Sequence, residues 1–594
     1  MNLSEGLRTL WRFILEEHIA PKGRPPVKPS DLTYGVDDRP PAYVLWIAAI
    51  QHVLLASVTT VFPLLVLEAA NASHEVVLKT MSGSLLSLGF GTFLLCLKAR
   101  DLGSSALMPA AFSGVYFTVS IAAAHQGGLA LVAGMTVFAG FVQLAIGYSA
   151  HWLRPYLPTE IAGFAMLMSG LTLGVIGFNL ITGVSAASDV MGANMGVPAL
   201  LGVACLLVMI ALFVWGASSL RLFVVLIVLG GGYTIGAVMG MVPFHEMKSA
   251  GILIHPSLPS PSWPTMAVNL MLPFAVAAIA TSLRAIGDFT TVQKINDAKW
   301  QRADMNSIRR GLVSNGLSMI FGGIFGSFGL STSSSSVGLS ATTGVTSRSV
   351  GYATAIVFVI LAFLPSVLEL IILAPKPVFG AALVFTSCFI IVNGMQAMVS
   401  RLMDGRRTLV VSIAVLLSFS RFLFPGFYLA APTYLQPVVG APLVIGLIGA
   451  LLLNLVFRIG IKKTAAITFT PGVDPLTKLD HFAHKQGGVW GARRDVIERA
   501  VRAMIETAEC LALLIAPGKS ATFKMTFDEF WLDVLVEYEG KPLATQATAP
   551  THDELLADES QLTRLAAVMI RRQVTKLRTS SQAEHQRIDL GFEH

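Results

Sequence analysis

Polar and charged side chains stand at a few places inside the long apolar stretches of this 594-residue sequence. Gln51 and His52 lie within QHVLLASVTTVFPLL, while Arg284 and Asp288 stand four residues apart in RAIGDF, on one face of a helix. Such side chains can hold a polar ring through directed hydrogen bonds, and His52 and Asp288 can each carry a proton. Inside a membrane they are functional by default. For Gln51 and His52 the alternative is a hydrogen bond that only holds two helices together.

A second group of candidates lies in the stretch GLSTSSSSVGLSATTGVTSR, residues 329–348, which is nearly all serine, threonine and glycine between apolar runs. It is either a polar linker between two membrane helices or an irregular segment within the membrane whose backbone is accessible to a ligand. We favour the ligand site, because irregular backbone survives in a membrane only where it lines a cavity or is buried in protein. Ser335 and Ser336 offer hydroxyls, and Gly338 lets a flat ring approach the backbone. The other irregular stretch, SALMPAAFSGVYFTVS, offers Ser113 and an aromatic face at Tyr116.

The composition is that of an integral membrane protein. Hydrophobic residues make up 54% of the chain and charged residues only 13%, and the mean hydropathy is +0.68, whereas a soluble protein carries roughly a quarter charged residues. The net charge of +7 fits loops at an anionic cytoplasmic leaflet and predicts no nucleic-acid partner. The four cysteines are scattered without metal or redox spacing, and no motif of an enzyme is present. We therefore expect no metal, no cofactor and no enzymatic activity.

About fourteen apolar runs of near-spanning length occur between residues 43 and 460. The third and the tenth are the two irregular stretches, and they occupy equivalent places if the chain consists of two repeats of seven. Paired interrupted spans are a sequence sign of a transporter's binding site. We predict an all-α polytopic core with a 7+7 inverted repeat. Lysine and arginine concentrate in the loops after even-numbered spans, so both termini are predicted to be cytoplasmic, including the N-terminal segment 1–42.

Residues 461–594 have the composition of a soluble domain. Apolar residues recur at helical spacing in VIERAVRAMIETAECLALLI, and WLDVLVEY alternates as a strand does. A second amphipathic helix is predicted from about Glu554 to Leu577, and RIDLGF is predicted to close a small sheet. These patterns predict an α+β cytoplasmic accessory domain.

Together the membrane motifs resemble those of the nucleobase–ascorbate transporter family, the nucleobase:cation symporters. The resemblance covers residues 43–460. The matching residues are Gln51 and His52 in the first span, Gly287 and Asp288 in the eighth, and Gly338 and Thr343 in the tenth.

The resemblance implies uptake of a nucleobase, of the xanthine or urate type or else uracil, by symport with a cation, for which the proton is the family's bacterial habit. It also implies a homodimer in a bacterial inner membrane. The candidate substrate-binding residues are Gln51, His52, Ser113, Tyr116, Arg284, Ser335, Ser336 and Gly338, and the candidate proton-coupling residues are Asp288 and His52.

Three departures from the family pattern affect the site. Arg284 stands where family members carry a substrate-binding glutamate, Ser335 and Ser336 replace a Gln/Glu-Asn pair, and Asn315 replaces an aspartate. Asp288 is the nearest partner for Arg284, and such a pair could keep the site neutral until a substrate or a proton competes for one member. The alternative is an ordinary ion pair at the cytoplasmic end of the span, with Arg284 extended to the interface.

Two other functions remain open from the sequence. An anion transporter like the sulfate permeases would share the seven-plus-seven fold and a tail domain, and Arg284 would suit an anion. The Gln-His pair and the Gly-Asp motif argue against it. A membrane sensor whose tail is the output is the third hypothesis.

Overall fold

The chain divides into two compact units, Met1–Asn454 and Leu455–His594. The computed structural model describes residues 27–153, 158–183, 196–217, 220, 223–242, 254, 263–300, 303–399, 403–432, 435–457, 460, 462–515, 518–528, 531–543, 560–582 and 585–593.

The first unit is built mainly from helices. In chain order its described elements are α1 Ala42–Val58, α2 Val61–Ala69, α3 His74–Cys96, β1 Ala110–Phe112, a 3-10 turn Gly114–Tyr116, α4 Phe117–Leu153, α5 Thr159–Thr182, α6 Val197–Trp215, α7 Val224–Val238, α8 Val268–Asn296, α9 Met305–Ile324, β2 Leu330–Thr332, α10 Ser334–Thr343, α11 Arg348–Ala362, α12 Pro365–Ile372, α13 Lys376–Met398, α14 Gly405–Leu423, α15 Pro425–Leu429, α16 Gln436–Val439 and α17 Pro442–Phe457.

Seven helical segments among the described residues are long and apolar enough to cross a membrane, and three shorter helices are also apolar. Their number and hydropathy make this unit a multi-pass membrane protein. A count of fourteen spans depends on elements shorter than a full span, so the fourteen-span arrangement and its inverted repeat remain predictions.

The first unit is mostly helical, as predicted, but it also contains two short strands that the all-α prediction did not include. Strand β1 pairs with β2 in an antiparallel two-stranded sheet, with Ala110 opposite Thr332 and Phe112 opposite Leu330. Both strands are fully buried. The pairing has a physical reason, because backbone N–H and C=O groups within a membrane must find partners inside the protein.

Each strand leads into a half-helix that ends in a glycine turn. The first half-helix, residues 117–126, ends where Gly127 and Gly128 interrupt α4, and Gly128 has φ of +67°. The second half-helix is α10, which ends at Gly344 with φ of +66°. A left-handed backbone conformation costs glycine little and other residues more. The two predicted interrupted spans thus share the order strand, half-helix, glycine turn and helix.

Close backbone contact joins α5 to α13. A methyl group added at Gly163 would lie 2.5 Å from the Met398 backbone nitrogen, and one at Gly394 would lie 2.4 Å from the Leu167 nitrogen. Small residues that let backbones approach are a usual means of helix association in membranes. Glycine is therefore required at these contacts by packing.

The segment before α1 is attached to the loop between α10 and α11. Tyr34 forms a parallel bridge with Val345, and its carbonyl accepts a hydrogen bond from the backbone N–H of Thr346 at 2.8 Å. Asp37 pairs with both Arg348 and Lys98. Burial raises the pKa of the Asp37 carboxyl, but these two cations outweigh burial and hold the pKa below its usual value. The described part of the N-terminal segment is thus fixed to the first unit.

The second unit is a five-stranded antiparallel sheet with helices. Its strands run in the order β3-β4-β5-β7-β6. The elements are β3 Lys463–Phe469, α18 Thr477–Trp490, α19 Arg494–Leu514, β4 Ala521–Phe527, β5 Trp531–Glu539, α20 Ser560–Gln573, β6 Lys576–Gln582 and β7 His585–Glu593.

Most of the patterns predicted for the tail are present in this unit, and its small sheet is confirmed. Strand β5 buries alternate residues, and α19 buries the helical face that the sequence predicts. Two details differ. The second amphipathic helix ends at Gln573, so Leu577 lies in β6. RIDLGF lies in the sheet, as predicted, but in its interior, where β7 lies between β5 and β6. Propensity alone does not determine strand order, because pairing is decided by tertiary contacts.

Candidate functional site

A cavity of about 60 Å³ lies beside the paired strands β1 and β2 of the first unit. That is several times the roughly 10–15 Å³ a single buried water needs. Of the predicted site residues, it is lined by Ser113, Arg284 and Ser335. Further polar lining residues are Thr59, Thr118, Ser169, Thr172, Thr332, Ser333, Ser334 and Thr386. Apolar side chains complete the wall, including Leu55, Phe62, Leu173, Leu383 and Ile390.

Both interrupted segments contribute their first turn to this cavity. Ser113 precedes the 3-10 turn, and Ser334 and Ser335 begin α10. The first backbone N–H groups of a helix have no partner within that helix and carry a partial positive charge. The Ser333 hydroxyl caps α10 by accepting from the Ser336 N–H at 3.3 Å, and it also contacts the Ser335 hydroxyl at 3.2 Å. The arrangement offers hydrogen-bond donors from two sides.

Arg284 and Asp288 are both joined to β2 and not to each other. The Arg284 Nη2 group donates to the Thr332 carbonyl at 3.1 Å, and the Thr332 hydroxyl donates to Asp288 Oδ2 at 2.5 Å. Both side chains are buried, so Arg284 does not extend to the interface, and among the described residues the two groups make no direct ion pair. That they keep the site neutral stays a hypothesis, with Thr332 between the two charges. Thr332 connects them. The sequence carries no signal for this link, since a strand residue from another span makes it.

Several polar atoms beside the cavity lack a hydrogen-bond partner within the protein. They include Arg284 Nε and Ser113 Oγ, whereas the Ser334 hydroxyl interacts with the Asp288 carboxyl. Leaving a buried polar group unpaired is costly, by about 1–3 kcal/mol or more for a charged group. These atoms are therefore available to a ligand.

The Tyr116 ring does not line the cavity. It is buried, stacks near Phe274 with ring centroids 6.3 Å apart, and accepts a hydrogen bond from Gln143 Nε2 at 3.3 Å. Gln143 in turn accepts from Asn315 Nδ2 at 2.9 Å. Tyr116 is not among the residues that line the cavity, so its stacking on a base stays a prediction. Gln143 was missed, although a glutamine inside the apolar stretch FVQLAIGY was a visible signal.

The other predicted residues do not line the cavity. Gln51 and His52 are buried in α1, about one turn before Leu55, which does line it. Gln51 Nε2 and His52 Nδ1 have no partner within the protein. Ser336 is buried with its hydroxyl unpaired, and Gly338 lies further along α10. No group of metal-binding side chains occurs among the residues described.

A membrane-embedded helical unit whose polar cavity lies between two interrupted segments has the design of a transport protein. The chain belongs to the nucleobase–ascorbate transporter family: the model of this permease family, Xan_ur_permease, matches residues 44–426. Members of the family are permeases and not enzymes.

Two curated relatives agree with this assignment. Xanthine permease XanQ of Escherichia coli K12 is 26% identical over 468 residues, which cover 76% of this chain and 98% of that protein. Xanthine permease XanP of the same strain is 26% identical over 447 residues, covering 72% and 95%. Among solved structures, SLC26A9 matches with a TM-score of 0.50 and 13% identity over 80% of this chain and 73% of that one. This last likeness concerns the fold alone.

Proposed function

We propose that this protein takes up a nucleobase by symport with a proton, and that it prefers a purine of the xanthine or urate type to uracil. The observation that carries the proposal is the cavity lined by Ser113, Arg284 and Ser335 at the meeting of two interrupted segments. Relatives named as xanthine permeases support a purine. A flat ring with carbonyl and imino groups matches a site whose polar groups both donate and accept.

In the proposed mechanism Arg284 helps to bind the substrate and Asp288 binds the proton, and both residues contact Thr332. The ring would be held by the hydroxyls, the free N–H groups and Arg284, while Asp288 takes up the proton. Because Thr332 contacts both Arg284 and Asp288, a change of charge on one is transmitted to the other. Gln51 and His52 are proposed to complete the substrate site when the cavity closes, with His52 as a second candidate for the proton.

The family resemblance supports proposals about the oligomeric state, the membrane and the topology of the protein. We propose a homodimer in a bacterial inner membrane, with two inverted repeats of seven spans in residues 43–460 and with both termini cytoplasmic. Residues 461–594 are proposed to be an accessory domain.

An uptake panel tests the function. Cells expressing the protein are expected to accumulate labelled xanthine or urate more than uracil, and to accumulate no sulfate. Sulfate uptake without any nucleobase uptake would favour the second candidate, an anion transporter. That candidate is supported by the presence of Arg284 in the cavity.

Separate alanine substitutions at Ser335 and Ser336 are expected to differ in effect. Ser335 lines the cavity, whereas Ser336 does not. Loss of one neutral hydrogen bond costs about 0.5–1.5 kcal/mol, so Ser335→Ala should weaken the apparent affinity by about 2- to 12-fold. Ser336→Ala serves as the matched control and should change it less than 2-fold. Equal effects in competition binding would show that the two hydroxyls are not distinguished by the cavity.

Truncation after Ile461 is expected to leave substrate binding intact. The cavity is lined entirely by residues of the first unit, and the second unit has its own core. Detergent-solubilised truncated protein should bind xanthine within about 3-fold of the full chain. A correctly inserted truncated protein that binds no nucleobase would contradict the separation into a core and an accessory domain.

A further inference from the structure

The charge on the cavity wall is positive only, among the described residues that line it. Among the described residues that line it, Arg284 is the one charged group, and no carboxylate faces it. The guanidinium is more than nine-tenths buried, and its Nε–H has no acceptor within the protein. A buried cation with a free donor beside a polar cavity is a site for an acceptor that carries negative charge.

Two further features of the same wall favour negative charge. Ser334 and Ser335, the first two residues of α10, line the cavity, and Ser113 lines it from the other segment. Helix N-termini stabilise anions at short range. The lining hydroxyls themselves do not discriminate, because each can donate or accept.

We infer that the substrate is bound as an oxopurine monoanion and that Arg284 is the residue that selects it. This inference rests on the proposed function and names the charge state of its substrate. The guanidinium offers N–H donors to the anion's ring nitrogen and carbonyl oxygen, in the place where family members carry a glutamate that would accept from a neutral ring. Exchange of a carboxylate for a guanidinium exchanges an acceptor for a donor, so the preferred ligand changes from a donor to an acceptor.

The charges in the site also balance. With the cavity empty, Arg284 and the Asp288 carboxylate compensate each other across Thr332. When Asp288 takes up the proton, Arg284 is left as a buried cation, and the bound anion neutralises it. Anion and proton therefore enter together without adding net charge to the buried site.

Calorimetric binding to purified full-length protein at neutral pH tests the inference, with urate as the anionic purine and hypoxanthine as the neutral one. Wild type is expected to bind urate at least about 10-fold more tightly. Arg284→Gln should weaken urate about 10- to 100-fold, as expected for a charge-assisted hydrogen bond. It should weaken hypoxanthine by a clearly smaller factor, and a thermal-aggregation midpoint like that of wild type would show that the variant is folded. Arg284→Lys should recover part of the urate affinity.

The matched control is Arg309→Gln, which removes another arginine that pairs with exposed Asp101 and does not line the cavity; urate affinity should not change. If wild type binds urate and hypoxanthine equally, or if Arg284→Gln weakens both equally, the inference is overturned while nucleobase transport stands. If no purine binds and sulfate or bicarbonate binds in an Arg284-dependent way, the nucleobase function fails and anion selection by Arg284 stands.

Discussion

Asp288→Asn is expected to abolish accumulation of substrate against a gradient while leaving substrate binding in place. Asparagine has the shape of aspartate, so the cavity and the α8 helix should keep their form. An amide cannot take up and release a proton, however, and Asp288 is a buried carboxyl that interacts with the hydroxyls of Thr332 and Ser334. Proteoliposomes with an imposed pH gradient should show equilibration of labelled xanthine in place of accumulation.

A second aspartate of the same helical region provides the control. Asp297 follows the last residue of α8 and accepts hydrogen bonds from the backbone of Val27 and Lys299, away from the cavity. Asp297→Asn should still accumulate xanthine. If Asp288→Asn also concentrates substrate, the proton is carried elsewhere, and His52→Ala becomes the variant to measure.

Gly329→Ala is expected to destroy the site by displacing Tyr116. An added methyl group would lie 2.2 Å from the Tyr116 ring, and the Gly329 carbonyl also accepts a hydrogen bond from the Ser113 N–H. The ring is buried, lies beside Phe274 and is hydrogen-bonded by Gln143. Overpacking of this kind costs about 1–3 kcal/mol or more. We expect a lower midpoint of thermal aggregation and loss of xanthine binding.

Gly338→Ala is the companion substitution, nine residues further along the same segment. A methyl group there would meet nothing within 4 Å, and alanine is more favourable than glycine inside a helix. Thermal stability should be unchanged or slightly higher. A matching loss of stability in both variants would mean that the segment tolerates no added bulk at any position, and the specific contact with Tyr116 would not be the cause.

Local sequence patterns predicted much of this architecture. The interrupted stretches were recognisable because serine, glycine and proline are out of place in clean apolar helices, and the tail sheet was recognisable because β5 alternates. Ser113, Arg284 and Ser335 were all selected by residue type, and the structure brings these three to one cavity.

What the sequence did not reveal depends on orientation and on distant contacts. Ser335 and Ser336 are neighbours, yet a helix turns about 100° from one residue to the next, so only one of them lines the cavity. The direction of the Tyr116 ring is decided by Gln143, and the link through Thr332 is decided by strand pairing. None of these contacts leaves a periodic signal in the chain.

The pairing of β1 with β2 also has a consequence for the synthesis of the chain. Ala110 leaves the ribosome more than two hundred residues before its partner Thr332. Until β2 is synthesised, the backbone groups of β1 have no strand to bind, and lipid offers them no hydrogen bonds. The pairing beside the cavity is therefore completed only after β2 has been synthesised.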